Sequence, residues 1–270
     1  MTRDTLDRAL PERRPESGLA IQARVVFALM HRDMLSRFGR TMLGYPWAVV
    51  APLLTIATMS LLFTFMQRRA PIGESFLLFF ATGYIPYMVF RMTSLRGFGA
   101  FLSNAAVFQF PIVMPFDALL SRILLEFWTM IIASVIVFLV IWLLGFGGLP
   151  VQVTPMLYAV GLLALLGFGV ATLNACIEIY FVTWGRFYRV MMMLLFYTSG
   201  IFYIPDWLPY QVRDMVVWNP ILHVVELFRT AFYPGYGSET FDARYLLSWA
   251  FGVVPVSMAL ERVVRRSRQQ

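Results

Sequence analysis

The side chains that could do chemistry in this sequence are few and scattered. Its two histidines, His31 and His223, stand far apart without ligand spacing, so each reads as a surface or packing residue and no metal site is expected. The single cysteine, Cys176, lies in an apolar stretch with no partner, which excludes an internal disulfide and leaves packing as its role. All 22 basic residues are arginine. The phosphate-gripping loop G-x-x-x-x-G-K-[ST] needs its lysine, so this chain cannot carry one. No nucleophile is paired with a base, no catalytic residue is assigned, and no cofactor is expected on the chain itself.

The informative ionisable residues sit inside apolar stretches: Arg91, Glu126 and Glu178. A charge facing lipid is costly, so such residues face a bundle interior or an aqueous path. Arg122 and Glu126 are spaced i, i+4 and read as a local ion pair near the interface. Arg91 either pairs with Glu126 across helices or meets an anionic substrate. Tyr84, Tyr87, Tyr197 and Tyr203 fall in the outer or middle part of apolar stretches, as belt or core residues or as faces on which a sugar could stack along a conduit.

These residues must be positioned by membrane helices. Of 270 residues, 59% are hydrophobic and 14% charged, whereas a soluble domain carries about a quarter charged residues. The apolar residues also arrive in blocks near the roughly 20 residues that cross a hydrocarbon core. The sequence therefore predicts an all-α polytopic membrane protein with six crossings: Pro46 to Met66, Ser75 to Leu95, Ile123 to Leu144, Pro155 to Phe181, a fifth from near Phe187 to before Pro205, and Tyr245 to Leu260. The net charge of +7 suits anionic headgroups better than nucleic acid, because the arginines cluster at the tails and beside apolar blocks.

Residues 1–18 read as a polar cytoplasmic tail without a cleavable signal, and 263–270 as a basic cytoplasmic tail. Residues 19–44 hold an amphipathic helix, with Phe27, Met30, Met34 and Phe38 on one face and Arg32, Asp33, Ser36, Arg37 and Arg40 largely elsewhere, lying on the membrane surface. Arg96 to Phe116 reads as a loop with a short helix, and residues 45–262 as one transmembrane domain. Gly167, Ala171 and Ala175 put small residues at every fourth position for close helix approach. Within 205–243, Trp207 to Trp218 and Ile221 to Tyr233 are too short to cross and are separated by the helix break Asn219-Pro220, so they predict a re-entrant pair bordering a conduit. With both ends inside, 17 of the 22 arginines lie on the cytoplasmic side, as the positive-inside tendency requires.

Two stretches resemble a known family. RFGRTMLGYPWAVVAP, Arg37 to Pro52, is similar to the membrane-entry motif of type-2 ABC exporter permeases. WNPILHVVELFRTAFYPGY, Trp218 to Tyr236, looks like the re-entrant segment of the capsular-polysaccharide export permeases within them. The resemblance runs from the interfacial helix to the last crossing. It implies a bacterial inner-membrane permease subunit that pairs with a second copy of itself. Two separate ATPase subunits would bind the ATP and Mg, a periplasmic polysaccharide co-polymerase and an outer-membrane export protein would act as partners, and lipid-linked acidic polysaccharide would be the cargo.

The same resemblance assigns ATPase coupling to Arg37, Arg40, Ser103, Asn104, Gln109 and Phe110. It assigns a periplasmic gate to Trp207, Trp218, Asn219, Pro220, His223 and Glu226. Arg91 and Arg229 would draw a polyanion into the conduit, although Arg229 could instead pair with Glu226 or the gate backbone. An O-antigen or teichoic-acid exporter permease is the nearest alternative. An ion-coupled secondary transporter is more remote, since no inverted repeat is visible, and a membrane-embedded transferase lacks a convergent set of catalytic side chains.

Overall fold

The computed structural model describes residues 17–38, 44–101 and 114–267, and over these it is helical with no strand. The helices are α1 (Gly18–Phe38), α2 (Gly44–Phe65), α3 (Phe76–Leu95), α4 (Pro115–Leu143), α5 (Val153–Tyr180), α6 (Trp184–Thr198), α7 (Tyr210–Val216), α8 (Pro220–Thr230) and α9 (Ala243–Ser267). Five are long and apolar enough to cross a bilayer: α2 from Pro46, α3, α4, α5 and α9. Arg40, Ser103, Asn104, Gln109 and Phe110 lie outside the described residues, as does the expected short helix in the loop; Arg37 is on α1.

The hydrophobic effect does not drive helices together in lipid, so this bundle is held by close packing and polar links. α3 is its centre, buried over most of its length, with Phe79, Phe80 and Ala81 wholly enclosed. The stripe of small residues on α5 meets it. A Cβ on Gly97, just past α3, would stand 1.9 Å from the Ala171 carbonyl oxygen, and one on Gly167 would stand 2.9 Å from Thr93 Cγ2. At this crossing Asn174 Nδ2 donates to Ser94 O (3.1 Å) and receives Trp184 Nε1 on its Oδ1 (2.9 Å). On the opposite face of α5, Gly169 lets α9 approach at Val253.

α4 starts eight residues before the predicted Ile123. Pro115 has a preset φ suited to the first helical position, and the Asp117 carboxylate accepts the Met114 amide at 3.0 Å. The fifth expected crossing differs more. α6 has 15 residues, about 22 Å of helix at 1.5 Å per residue, short of a core of about 30 Å. It ends where Gly200 takes φ +69°, and the chain continues without helix through 201–204. The whole segment nevertheless runs along α3, from Tyr188 against Phe98 (5.5 Å), past Met192, whose carbonyl receives the Tyr87 hydroxyl (2.6 Å), to Phe202 against Phe80 (5.4 Å).

α1 lies against α4 through a stripe distinct from the apolar face that the sequence assigns to the membrane surface. Val26, Leu29 and Asp33 are buried, while Phe27 is 72% exposed. Gln22 Nε2 donates to Asp117 Oδ1 (3.0 Å), and Asp33 takes Arg32 (2.8 Å) and Arg122 (3.6 Å). Glu126 receives Arg96 Nε at 2.7 Å, and Glu178 accepts the Gly99 amide at 2.6 Å. The partner of Glu126 from α3 is thus Arg96, five residues beyond Arg91. These links form one polar layer at the end of the bundle where α9 finishes in Arg265 and Arg266. A second polar layer lies at the other end, around α8.

Candidate functional site

α8 is a short helix sunk into the bundle against α3, α5 and α9, with six consecutive buried residues from Ile221 to Glu226. Its start is set by the predicted break. Asn219 Oδ1 accepts the Ile221 amide (2.9 Å) as an N-cap, and Pro220 fills the first helical position, where no amide is needed. The other side of the same amide group binds α6: Asn219 Nδ2 donates to Thr198 Oγ1 (3.0 Å), Ser199 Oγ (2.9 Å) and Leu195 O (3.3 Å). One residue therefore caps α8 and ties it to the end of α6.

His223 and Arg229 tie down the rest. His223 Nδ1 accepts the Asp242 amide (3.1 Å), which leaves the proton on Nε2, 2.9 Å from Val217 O. Burial pushes the imidazole pKa below its usual value, so the neutral ring is the form held. The Asp242 carboxylate caps α9 by accepting the Tyr245 and Arg244 amides, and these bonds hold its pKa below the usual carboxylate range.

Arg229 is wholly buried. Its Nη1 meets Glu226 Oε1 (3.2 Å) and Tyr203 O (3.3 Å), its Nη2 donates to Ile201 O (3.3 Å), and its guanidinium lies over the Phe79 ring at 4.2 Å. The other Glu226 oxygen accepts the Tyr236 hydroxyl. Carbonyls freed where α6 stops are thus paired by an arginine, the condition under which non-helical backbone survives at membrane depth.

The predicted gate residues divide. Asn219, Pro220, His223 and Glu226 come together on α8, whereas Trp207 and Trp218 lie at the surface, 67% and 75% exposed. The expected pair is therefore one buried helix and one superficial one. The predicted conduit also divides. Arg229, Tyr84 and Tyr87 are enclosed within the chain and face its own helices, not an opening. The buried arginine serves the carbonyls of 201 and 203. Tyr197 is exposed, Tyr203 donates to Tyr197 O (3.1 Å), and Arg91 is half-buried with no carboxylate partner among the described residues.

Sequence reasoning missed Gly83, Asp206 and Tyr236. Asp206 accepts the Glu239 and Thr240 amides and the Thr240 hydroxyl, so the turn after α6 is joined to the loop before α9. A turn-forming Pro-Asp pair is a weak signal, and nothing local marks its partner 34 residues on. Among the described residues, no three His, Cys, Asp or Glu side chains gather as metal ligands.

The arrangement is a helical bundle around a short, braced, buried helix, and comparison with known proteins gives it a family. The ABC-2 type transporter family model matches residues 24–233, from α1 through α8. The chain belongs to the ABC-2 type transporter family. Among its curated relatives, the polysialic acid transport protein KpsM of Escherichia coli is 30% identical over 249 residues, covering 91% of this chain and 95% of that protein. The capsule polysaccharide export inner-membrane protein CtrC of Neisseria meningitidis serogroup A is 28% identical, covering 80% and 82%. The O-antigen export permease RfbA of Klebsiella pneumoniae is 26% identical, covering 78% and 81%. The family match thus takes in α8 and its braces from α3 and α6, and stops at Tyr233 before Tyr236 and α9.

Proposed function

We propose that this chain is the permease subunit of an exporter that moves lipid-linked acidic capsular polysaccharide across a bacterial inner membrane. The observation that carries this reading is the similarity to a polysialic acid transport protein over nine-tenths of the chain and to capsule polysaccharide export inner-membrane proteins over four-fifths of it. The O-antigen permease likeness is lower and shorter, which makes O-antigen export the second reading. In the working complex two copies of the chain face each other, two ATPase subunits bind ATP and Mg, and both termini of each copy are cytoplasmic. A periplasmic co-polymerase and an outer-membrane export protein receive the polymer.

The bracing of α8 supports a two-state element. Its links to α6, to 201–203 and to the start of α9 join three parts of the bundle, so closure of the ATPases beneath can bias them as one body. The polar layer at the arginine-rich end is the entry for that force: α1 reports to α4 through Asp33 and Arg122, and Arg96 and Glu178 hold the turns after α3. The test is complementation. A strain lacking the gene should accumulate polymer inside and show none on its surface, and the intact gene should restore the surface polymer. Purified chain should hydrolyse ATP only after a separate ATPase subunit is added; hydrolysis by the chain alone would overturn the assignment.

A further inference from the structure

A cavity of about 870 Å³ opens on the flank of the bundle, between the last turns of α2, the start of α3 and the glycine turn joining α4 to α5. It lies at the end opposite the basic end of α9: α4 begins near Arg265, which contacts Met114, and finishes 29 residues later beside this cavity. The volume falls in the ~300–1,000 Å³ range of small-molecule sites. Its walls combine an aromatic face with hydrogen-bonding groups: Phe146, Glu74, Ser60, Thr64, Ser75 and Tyr233. By contrast, the groove between α5 and α9 is lined by Leu157, Leu162, Leu247, Phe251 and similar residues, and offers an acyl chain little beyond dispersion contacts.

The polar groups around the cavity have capacity to spare. Tyr233 is buried, its hydroxyl closed off beside Thr82 inside the bundle while its ring forms part of the cavity wall. Tyr233 is fixed there because its ring packs on Gly73, where a Cβ would stand 2.8 Å from Cε1. Ser75 Oγ accepts the Leu78 amide and keeps its proton to donate; Thr64 spends its proton on Ser60 O and keeps its lone pairs to accept. Glu74 is exposed and has no cationic partner among the described residues, and Phe146 is 47% exposed. The connection from Thr64 to Gly73 carries Arg68 and Arg69, both exposed and without carboxylate partners among the described residues.

We infer that this cavity binds a sugar unit of an acidic glycan, with the ring's C–H face on Phe146, its hydroxyls on Glu74, Ser75 and Thr64, and its anionic group towards Arg68 and Arg69. A carboxylate beside an open aromatic ring suits vicinal hydroxyls next to an apolar C–H face, a combination that a phospholipid headgroup lacks. The inference rests on the exporter reading, because the glycan is the cargo. It adds a holding point on the outward flank, joined to α8 through Tyr233.

The test uses the complete exporter in its own strain, with a photoreactive benzoyl-phenylalanine at Leu61, an exposed wall residue. Irradiation should give an adduct that stains for carbohydrate and disappears when polymer synthesis is blocked. Phe146→Ala and Glu74→Gln should weaken the adduct about ten-fold, as expected for losing an anchor worth ~1.4 kcal/mol. Phe146→Trp should keep it, and chain levels should be equal throughout. An adduct with phospholipid only, or no adduct, in cells that still export polymer would overturn the site and leave the exporter reading intact. If the wild-type chain restores no surface polymer and gives no carbohydrate adduct, the exporter reading falls and the site with it.

Discussion

Gly83 has no side chain at the point where Arg229 crosses α3: a Cβ there would stand 2.9 Å from Nη2 and 2.9 Å from the Ile201 Cα. The guanidinium, the carbonyl it serves and the central helix share a space that only glycine leaves open. Gly83→Ala should therefore lower the melting temperature of the purified protein, with a cost of about 1–3 kcal/mol for overpacking. Gly161→Ala is the control, since nothing lies within 4 Å of a Cβ there, and it should melt like the wild type.

Removing one partner of the enclosed Arg229–Glu226 pair should cost more than removing both. Arg229→Met strands the Glu226 carboxylate and should destabilise by about 3–5 kcal/mol. The double variant Arg229→Met with Glu226→Gln should recover part of that, leaving the carbonyls of 201 and 203 unserved. Denaturation of the detergent-solubilised chain reads the difference. Equal losses in the single and double variants would show that the arginine acts through the carbonyls alone.

The link from α1 to α4 should be exchangeable in sign. Asp33→Arg and Arg122→Asp should each reduce export, and the combination should restore it in part, with a coupling of about 1 kcal/mol in a double-mutant cycle. Surface polymer and melting temperature, measured together, separate a coupling role from a merely structural one.

His223 predicts a pH dependence. Its folded pKa lies below the ordinary 6.5, so the folded protein favours the neutral ring. The stability this lends is fully present above the unfolded pKa and is lost as pH falls through the lowered folded value. The melting temperature should therefore drop as the pH falls below the ordinary imidazole value of about 6.5. His223→Gln should start lower at neutral pH and fall less steeply.

Local signals carried much of this architecture. Asn219-Pro220 marked the start of α8 because an Asn cap and an N1 proline act within a few residues, and the apolar blocks located five spans for the same reason. The facing of helices was not legible. The spacing of apolar residues on α1 marks a membrane-facing side with Phe27, and nothing in it marks Val26, Leu29 and Asp33 as the side buried against α4. In lipid the usual rule inverts: an apolar face is content outside, and a charge needs a protein partner, here Arg122 from nearly ninety residues away. Arg229 illustrates the same gap. Its carbonyl partners exist only because α6 stops at Gly200, and no periodicity announces that stop.

The shortness of α6 has a consequence for the surrounding membrane. Where α4 offers lipid 29 helical residues, α6 offers 15, and a bilayer adapts to such a mismatch by thinning or by drawing polar groups inward. This flank therefore presents about half the regular helix that α4 does, and the 201–204 backbone that continues it stays satisfied because it is enclosed with Arg229.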